Sequence, residues 1–371
     1  MQIYYQKEAK TIADERFIEI CFSFAEIARL TMSLEFKFLQ PGDKDFHLYK
    51  SVLATVYGAD SKRVKQKGAV ERECLLGCLV AIKADVPVAR CSLYNNPNHY
   101  YNKYRFGAVG NYECVNDMSI ALEFLQKVAA TFKAFRLPYA IGPMDGSIWN
   151  NFSLQYNNEE PLFYPEKQQQ KYYNQHFKSA GFQTIAEYVS HKDLQLDVDN
   201  DALDYARGDF EKLGLELRTI DRDNFEIEMK RIGEFCLENQ KDNFLYSPIT
   251  PEQFFEKNIV IESFLNPELM LLMEDAERNI VALSFAYDDP YNSLGKTAVI
   301  KMVVRNKDSR YKGLGKFLGG MIYRYAIENK YKAIIHAFMK TGNPSILESF
   351  EFSGTNTYYK RYALYGMKLE E

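Results

Sequence analysis

A short basic segment near the C-terminus contains two glycines and three positively charged side chains. Its sequence is Arg310-Tyr311-Lys312-Gly313-Leu314-Gly315-Lys316. Glycines adopt backbone torsions that other residues avoid, and they let a ligand approach the main chain closely. Successive amides at the positive end of a helix dipole bind phosphate groups. The segment therefore predicts a site for a phosphate-bearing small molecule.

The flanking residues place this segment between a strand and a helix. An apolar, β-branched run over 298–304 precedes it, and apolar residues recur at helical spacing over 317–329. Two common phosphate motifs are excluded. A P-loop requires Ser or Thr after its lysine, but Lys316 is followed by Phe317. A dinucleotide fingerprint requires a third glycine three residues after Gly315, where the chain has leucine.

The remaining pattern, Arg-x-x-Gly-x-Gly after a strand, resembles the pyrophosphate loop of the GNAT acetyltransferase superfamily, which binds acetyl-CoA. The next predicted strand, 332–339, is followed by Asn343, which matches an asparagine that commonly contacts the pantetheine arm in that superfamily. Further segments resemble large bacterial GNAT-like proteins, mostly of unassigned substrate. These are His336-Ala337-Phe338-Met339 with Arg361-Tyr362-Ala363-Leu364-Tyr365, Ile141-Gly142-Pro143-Met144-Asp145-Gly146-Ser147, and Tyr164-Pro165 through Ala180-Gly181-Phe182. The resemblance covers nearly the whole chain after about residue 35.

The resemblance implies an α/β (α+β) protein of two GNAT-like domains, each a mixed, mostly antiparallel sheet flanked by helices. It also implies transfer of an acetyl group from acetyl-CoA to a primary amine of an unknown small molecule or peptide, by direct attack on the thioester. The residues expected to bind the co-substrate are Met302, Val303, Val304, Arg310, Tyr311, Lys312, Gly313, Leu314, Gly315, Lys316 and Asn343.

Both halves of the chain show the same order of predicted elements. The first half has predicted strands at 74–83, 87–93, 106–115 and 139–141, with a helix at 119–135 before the last strand. The second half has predicted strands at 270–274, 280–287, 299–304 and 333–338, with the loop and its helix before the last strand. Only the second half has glycines between strand and helix, since the first has Val115-Asn116-Asp117-Met118-Ser119. We therefore expect a degenerate first domain (1–195), a linker (196–214) and a domain with the only co-substrate site (215–371).

Acyl transfer to an amine also needs a base for the acceptor ammonium and an acid for the leaving thiolate. Many GNAT enzymes carry a tyrosine seven residues after the asparagine, but this chain has Phe350 there. Tyr359, Tyr365 and His336 are candidate acids, and Tyr362 is the first choice. Asp288, before Asp289-Pro290, could hold the ammonium or act as base. The alternatives are packing for each tyrosine, a buried hydrogen-bonded histidine, and a solvated acidic loop.

Two other functions remain open at this point. The substitution at Phe350 and the degenerate first half also fit a non-catalytic acyl-CoA-binding sensor or interaction protein. A tandem GNAT transferase that uses a donor other than acetyl-CoA is a third possibility, but such enzymes often lose the glycine loop. The intact glycines at 313 and 315 argue against it.

Composition excludes several classes of protein. With 371 residues and a net charge of −4, the chain has no global attraction for nucleic acid. It has no signal-peptide pattern and no apolar run near the ~18–20 residues that span a bilayer. The six cysteines include no Cys-x2-Cys pair, so we expect reduced thiols and no metal site. We expect a soluble cytoplasmic protein without nucleic-acid or membrane partners, and its oligomeric state stays open.

Overall fold

The computed structural model describes residues 33–65, 70–157, 161–292, 295–342 and 357–369. The elements up to residue 193 are β1 (Glu35–Leu39), α1 (Phe46–Tyr57), α2 (Lys62–Lys65), β2 (Leu75–Lys83), β3 (Val86–Tyr94), β4 (Tyr100–Tyr101), β5 (Tyr104–Cys114), α3 (Met118–Ala134), β6 (Tyr139–Gly142), β7 (Leu154–Asn157), α4 (Tyr173–Ser179) and β8 (Gln183–Asp193). The later elements are α5 (Asn200–Lys212), β9 (Glu216–Thr219), α6 (Phe225–Gln240), α7 (Pro251–Asn258), β10 (Met270–Glu274), β11 (Ile280–Asp288), β12 (Thr297–Arg305), α8 (Leu314–Glu328), β13 (Ala333–Lys340) and β14 (Thr357–Lys368). Short 3₁₀ turns cover Ile259–Phe264, Pro267–Leu269 and Ser309–Tyr311.

The two halves repeat one arrangement of strands and helices. β2, β3 and β5 pair antiparallel in the first half, as β10, β11 and β12 do in the second. In each half a helix then leads to a parallel neighbour, so β5 pairs with β6 after α3 and β12 pairs with β13 after α8. The predicted fold class, two mixed and mostly antiparallel sheets flanked by helices, is confirmed.

The last strand of each half pairs within the other half. The strand order is β1-β2-β3-β5-β6-β14-β8-β13-β12-β11-β10-β9. β14, from the C-terminal end, lies between β6 and β8, and β8 in turn pairs with β13. The β8–β14 pairing runs from Thr357 opposite Asp193 to Gly366 opposite Gln183. Because of this exchange, the two sheets form one continuous structure.

The segment expected to be a linker, 196–214, contains helix α5, which packs on α8. A Cβ at Gly320 would lie 2.5 Å from Leu203 Cδ2, so a larger residue there would force the Leu203 side chain to shift. The rings of Phe210 and Phe317 are 5.3 Å apart, and Arg324 Nη1 donates to Asp204 Oδ1 at 2.8 Å. α5 therefore belongs to the helical layer over the second sheet.

Helices cover both faces of the second sheet, which explains why β10 and β11 are apolar with few interruptions. One core packs α8 against side chains such as Leu271 and Ala282, and the other packs α6 and α7 against Leu272 and Phe285. Strands buried on both faces require apolar residues at successive positions rather than alternate ones.

Candidate functional site

The parallel strands β12 and β13 separate part-way along their length. Their pairing runs from Thr297 opposite Ala333 to Ile300 opposite His336. Beyond this point β12 stays with β11, whereas β13 continues beside β8, where Met339 pairs with Val189. A gap therefore opens in the sheet, bordered by residues 301–305 on one side and 337–340 on the other.

Backbone groups of β12 point into this gap. The Asn306 amide donates to the Val281 carbonyl at 2.8 Å, which fixes the phase of the antiparallel ladder with β11. Since such a ladder alternates, the Val303 amide and carbonyl point away from β11 and toward the gap. Met302, Val303 and Val304 all line the cavity that begins there. The strand segment expected to bind the co-substrate thus lies along the edge of the gap.

The glycine loop leads directly into helix α8. Gly313 is the N-cap residue, with a left-handed φ of +92° and no side chain to cap the helix. The Phe317 amide donates to the Gly313 carbonyl at 3.0 Å, so the amides of the turn before it have no acceptor within the helix. Gly315 and Gly319, one turn apart on α8, both line the cavity. The start of this helix can therefore receive an anion without competition from a capping side chain.

Basic side chains surround this helix start at the surface. Lys312 and Lys316 are exposed, while Tyr311 and Leu314 are buried and anchor the loop. Arg310 is also exposed, and its Nη2 lies 3.0 Å from Asp308 Oδ2. The Asp308 side chain accepts from the Arg310 amide as well, at 2.9 Å. Exposed ion pairs of this kind contribute little, so this one could be exchanged for a phosphate at small cost.

A cavity of about 630 Å³ extends from the gap to the first half of the chain. Its walls come from the gap strands, the first turns of α8, the end of α7, and two segments between β6 and α4. The lining residues from those two segments include Ile148, Trp149, Asn150, Asn151, Phe152, Tyr164, Pro165, Glu166 and Lys167. Both halves therefore shape the space in which an acceptor would lie.

Tyr362 on β14 lines this cavity and is buried. Its hydroxyl donates to Glu166 Oε1 at 2.5 Å. The same carboxylate accepts from Lys360 Nζ at 2.7 Å and from the Phe163 amide at 3.0 Å. Burial and the adjacent Glu166 raise the pKa of Tyr362 well above its ordinary value, so its hydroxyl stays protonated near neutral pH.

His336 stands where β13 leaves β12, and its ring is hydrogen-bonded to helix α8. Its Nε2 lies 3.0 Å from the Tyr323 hydroxyl, which donates to Asp193 Oδ2 at 3.1 Å. Because that hydroxyl has a single proton, Nε2 is the donor to its oxygen. Burial lowers the pKa of His336 well below its ordinary value, so the imidazole is neutral. Its ring also stacks on His191, with centroids 4.4 Å apart.

Three other residues from the sequence analysis lie outside the cavity wall or outside the described residues. Asp288, at the end of β11, accepts from the Tyr331 hydroxyl at 2.6 Å and is not among the cavity-lining residues. Asn343 and Phe350 fall within 343–356, outside the described residues. The structure therefore brings Tyr362 and His336 to the same cavity as the gap strand and Gly315, but not Asp288.

Glu166 and Lys301 are cavity residues that the sequence analysis did not single out. Lys301 Nζ donates to Asn258 Oδ1 at 2.6 Å, and burial lowers the pKa of Lys301 to about 8. A lysine inside the apolar run of β12 was a signal in the sequence. Glu166 gave no such signal, because its role depends on β14 lying beside it.

In the first half the corresponding gap is closed by the chain itself. After the parallel pairing of β5 and β6, the segment following β6 folds back on β5. The Met144 amide donates to the Val109 carbonyl at 2.7 Å, and the Asn111 amide donates to Asp145 Oδ1 at 2.7 Å. Asp145 also forms an ion pair with Lys167 at 2.7 Å. Backbone groups that would face a ligand are therefore already paired.

The helix start in the first half is also occupied, by a carboxylate. Asp117 caps α3, and its Oδ1 accepts from the amides of Ser119 at 2.9 Å and Ile120 at 3.3 Å. The negative charge that a helix start favours is thus supplied by the protein. Of the two equivalent positions, only the one at α8 is open.

Some classes of site do not occur in the described part of the chain. Over residues 33–65, 70–157, 161–292, 295–342 and 357–369, no group of three or more His, Cys, Asp or Glu side chains could hold a metal ion. Within the same ranges no helix combines the length and the apolar character needed to cross a membrane.

Sequence comparisons give no match, whereas the fold has many. No family model matches the chain, and no curated protein matches its sequence. One similar structure is the glucosamine N-acetyltransferase region of a fungal multi-domain GH3 β-N-acetylglucosaminidase, at a TM-score of 0.55 and 12% identity. That match covers 91% of this chain and 38% of the fungal chain, so this chain is far shorter than the fungal one.

Two further structures match at similar scores. A tandem GNAT protein from the clavulanic acid biosynthesis pathway has a TM-score of 0.53 at 11% identity, covering 91% of this chain and 99% of that one. A GCN5-related N-acetyltransferase from Anabaena variabilis has a TM-score of 0.53 at 8% identity, covering 91% and 73%. The open gap, the glycine-headed helix and these matches agree: the chain has the GNAT fold, in the tandem arrangement of two such units.

Proposed function

We propose that this protein binds acetyl-CoA at the glycine loop and transfers the acetyl group to a primary amine of a small molecule or peptide in the cavity. The observation that best supports this proposal is the open gap between β12 and β13, which ends at the uncapped helix start at Gly313. The equivalent gap in the first half is closed. Acetyl-CoA would supply an acyl group activated as a thioester. The GNAT fold of structures named as N-acetyltransferases supports the same reaction class.

The loop and the strand edge would hold the two ends of the co-substrate. The amides at the start of α8 would bind the pyrophosphate, with Lys312, Lys316 and Arg310 supplying positive charge. The main chain of Met302 to Val304 would bind the pantetheine arm, since the Val303 amide and carbonyl face the gap. Asn343 remains a predicted contact to that arm.

Two groups of the chain are suited to the charge that develops during acyl transfer. The Val303 amide is a fixed donor at the gap, as needed for an oxygen that gains negative charge. Tyr362 keeps its proton because of burial and Glu166, and its hydroxyl would act as a hydrogen-bond donor to a leaving sulfur, rather than as a strong acid, once it turns from Glu166 Oε1. This role is narrower than the acid predicted from the sequence. The imidazole of His336 is neutral and Asp288 does not line the cavity, so we retain Tyr362 as the first of the three candidates.

Thermal unfolding with and without acetyl-CoA tests the binding step. A ligand at 100 times its dissociation constant stabilises the folded state by about 2.7 kcal/mol. No stabilisation at millimolar acetyl-CoA would overturn the proposal. Release of free thiol from acetyl-CoA in the presence of an amine panel then tests the transfer step.

One observation favours a second candidate, a non-catalytic acyl-CoA-binding sensor. Among the described cavity-lining residues, Glu166 is the only carboxylate, and it already accepts hydrogen bonds from Tyr362, Lys360 and the Phe163 amide. A carboxylate base for the acceptor ammonium must then be Glu166 after rearrangement, and the alternatives are water and the weakly basic neutral imidazole of His336. Stabilisation by acetyl-CoA without thiol release for any amine would favour the sensor.

A further inference from the structure

Lys301 lies at the apex of the gap, where β13 leaves β12. On β11, Ala286 pairs with Ile300 and Phe285 pairs with Met302, so Lys301 is the extra residue of a β-bulge. Its side chain lines the cavity, and its Nζ lies 5.2 Å from the centre of the Phe285 ring. The bulge thus places a charged residue in the wall of the cavity, next to the last residue of β12 that pairs with β13.

The polar contact of Lys301 has a fixed orientation. Asn258 Nδ2 donates to the Phe254 carbonyl at 2.7 Å, so Asn258 Oδ1 faces Lys301 and accepts from its Nζ at 2.6 Å. An amide oxygen satisfies one donor of the ammonium but does not neutralise its charge. The nearby Cys236 does not neutralise it either, because burial raises the pKa of that thiol to about 12.

Lys301 differs in this respect from two other lysines of the same wall. Lys167 Nζ lies 2.7 Å from Asp145 Oδ2, and Lys257 Nζ lies 2.7 Å from Glu71 Oε2. Among the described residues, no carboxylate forms an ion pair with Lys301. Lys301 is partly buried, and an ammonium that is removed from water without a counter-charge tends to lose its proton or acquire a partner. Burial lowers the pKa of Lys301 to about 8, so an anion bound beside it would restore the full charge.

We infer that Lys301 forms a carboxylate subsite and that the acceptor carries a carboxylate as well as its amine, as an amino acid or a small peptide does. This inference rests on the proposed acyl transfer. One ammonium balances a carboxylate, whereas a phosphate dianion would keep an unbalanced charge. The pyrophosphate of the co-substrate does not supply this partner, because Lys301 precedes Arg305 by four strand residues, or roughly 13 Å, on the side away from the loop.

A binding experiment tests the subsite without requiring turnover. Calorimetry compares acetate, propionate and 3-phenylpropionate with their alcohols, ethanol, propan-1-ol and 3-phenylpropan-1-ol, on the full chain saturated with CoA. We expect at least one carboxylate to bind about tenfold or more tightly than its alcohol, and Lys301→Met to abolish the difference. Lys340→Met removes another cavity lysine and should leave the difference intact. If no carboxylate exceeds its alcohol, or if Lys301→Met retains the preference, the inference is overturned.

A kinetic experiment separates failure of the subsite from failure of the reaction. L-Phenylalanine and 2-phenylethylamine differ only by the carboxylate, as do β-alanine and ethylamine. In the wild type, kcat/KM for thiol release should favour the carboxylate member of at least one pair by about tenfold, and in Lys301→Met the ratio should approach one. Transfer without such a preference would overturn the subsite and leave acyl transfer standing. Carboxylate binding that depends on Lys301, without transfer to any amine, would support the subsite and overturn the proposed reaction. Melting temperatures confirm that each variant is folded.

Discussion

Asp117 and Gly313 occupy equivalent positions in the two halves, and they give the helices that follow them opposite properties. Asp117 Oδ1 accepts from the amides of Ser119 and Ile120, so α3 starts with a carboxylate already bound. Gly313, at φ +92°, has no side chain and leaves the start of α8 open. Asp117 therefore closes the start of α3, whereas Gly313 leaves the start of α8 available to an anionic ligand.

Gly313→Val should abolish stabilisation by acetyl-CoA. A residue with a Cβ in the left-handed region costs about 1–2 kcal/mol, and the added side chain would occupy the approach to the helix start. Gly214→Val is the control, because Gly214 has φ +76° and a Cβ there would meet no atom within 4 Å. Thermal unfolding with and without acetyl-CoA measures both variants. Ligand stabilisation that survives in Gly313→Val would show that the loop is misassigned.

Asp117→Ala should destabilise the protein by about 1 kcal/mol and leave acetyl-CoA stabilisation unchanged. The Ser119 hydroxyl, followed by the Ile120 and Ser119 amides, lowers the pKa of Asp117. A lowered folded-state pKa gives stability that is present above about pH 4 and is lost as the pH falls through the folded value. The free energy of unfolding in urea should therefore differ less between the wild type and Asp117→Ala below pH 4 than at neutral pH. A smaller stabilisation by acetyl-CoA in Asp117→Ala than in the wild type would instead place a second co-substrate site in the first half.

Tyr362→Phe should lower the rate of thiol release by about 10–100-fold while acetyl-CoA still binds, because one hydrogen bond to a charged leaving group is lost. The pH profile between 6 and 9 should keep its shape, since burial and Glu166 raise the pKa of Tyr362 well above that range. Tyr365→Phe is the control on the same strand. Its hydroxyl donates to Asn174 Oδ1 at 2.8 Å, away from the cavity. Equal rates in the two variants would remove Tyr362 from the mechanism.

Lys301 should make the stability of the protein rise with pH above about 8. Burial lowers the pKa of Lys301 to about 8 in the folded state, whereas the unfolded chain titrates near 10.4. Between these values the unfolded state binds one more proton, so the free energy of unfolding increases by on the order of 1 kcal/mol per pH unit. Urea unfolding at pH 7.5 and 9.5 measures the free energy of unfolding of the wild type and of Lys301→Met. The difference between the two proteins should be larger in favour of the wild type at pH 9.5. A flat difference would mean that Lys301 is solvated.

The elements with strong local patterns could be predicted from the sequence. β11, β12 and β13 are apolar runs, and the glycine loop marks the start of the helix after β12. The structure begins α8 at Leu314 rather than at Phe317, because its glycine-rich first turn has no helical periodicity of apolar residues. Strand β8 was not predicted: its polar end, His191 to Asp193, is stable as a strand only because β13 and β14 pair with its two edges.

The co-substrate loop could be predicted from the sequence, whereas the acceptor cavity could not. The loop is contiguous, so its residues predicted an anion site. The cavity is formed by segments distant in sequence, and Glu166 contacts Tyr362 across 196 residues of chain. Lys301 could have been noticed as a charge in an apolar strand, but its lack of a carboxylate partner depends on the packing of α6, α7 and β11.

The exchange of β8 and β14 also determines the order in which the protein can fold during its synthesis. β6 needs β14 as its outer neighbour, and β14 comprises residues 357–368. While the ribosome is still translating the second half, the first sheet has an exposed edge at β6, and exposed strand edges are prone to wrong pairing. The first half therefore cannot complete its sheet as it emerges. The first sheet can reach its final structure only after residues 357–368 have been translated and β14 can pair with β6.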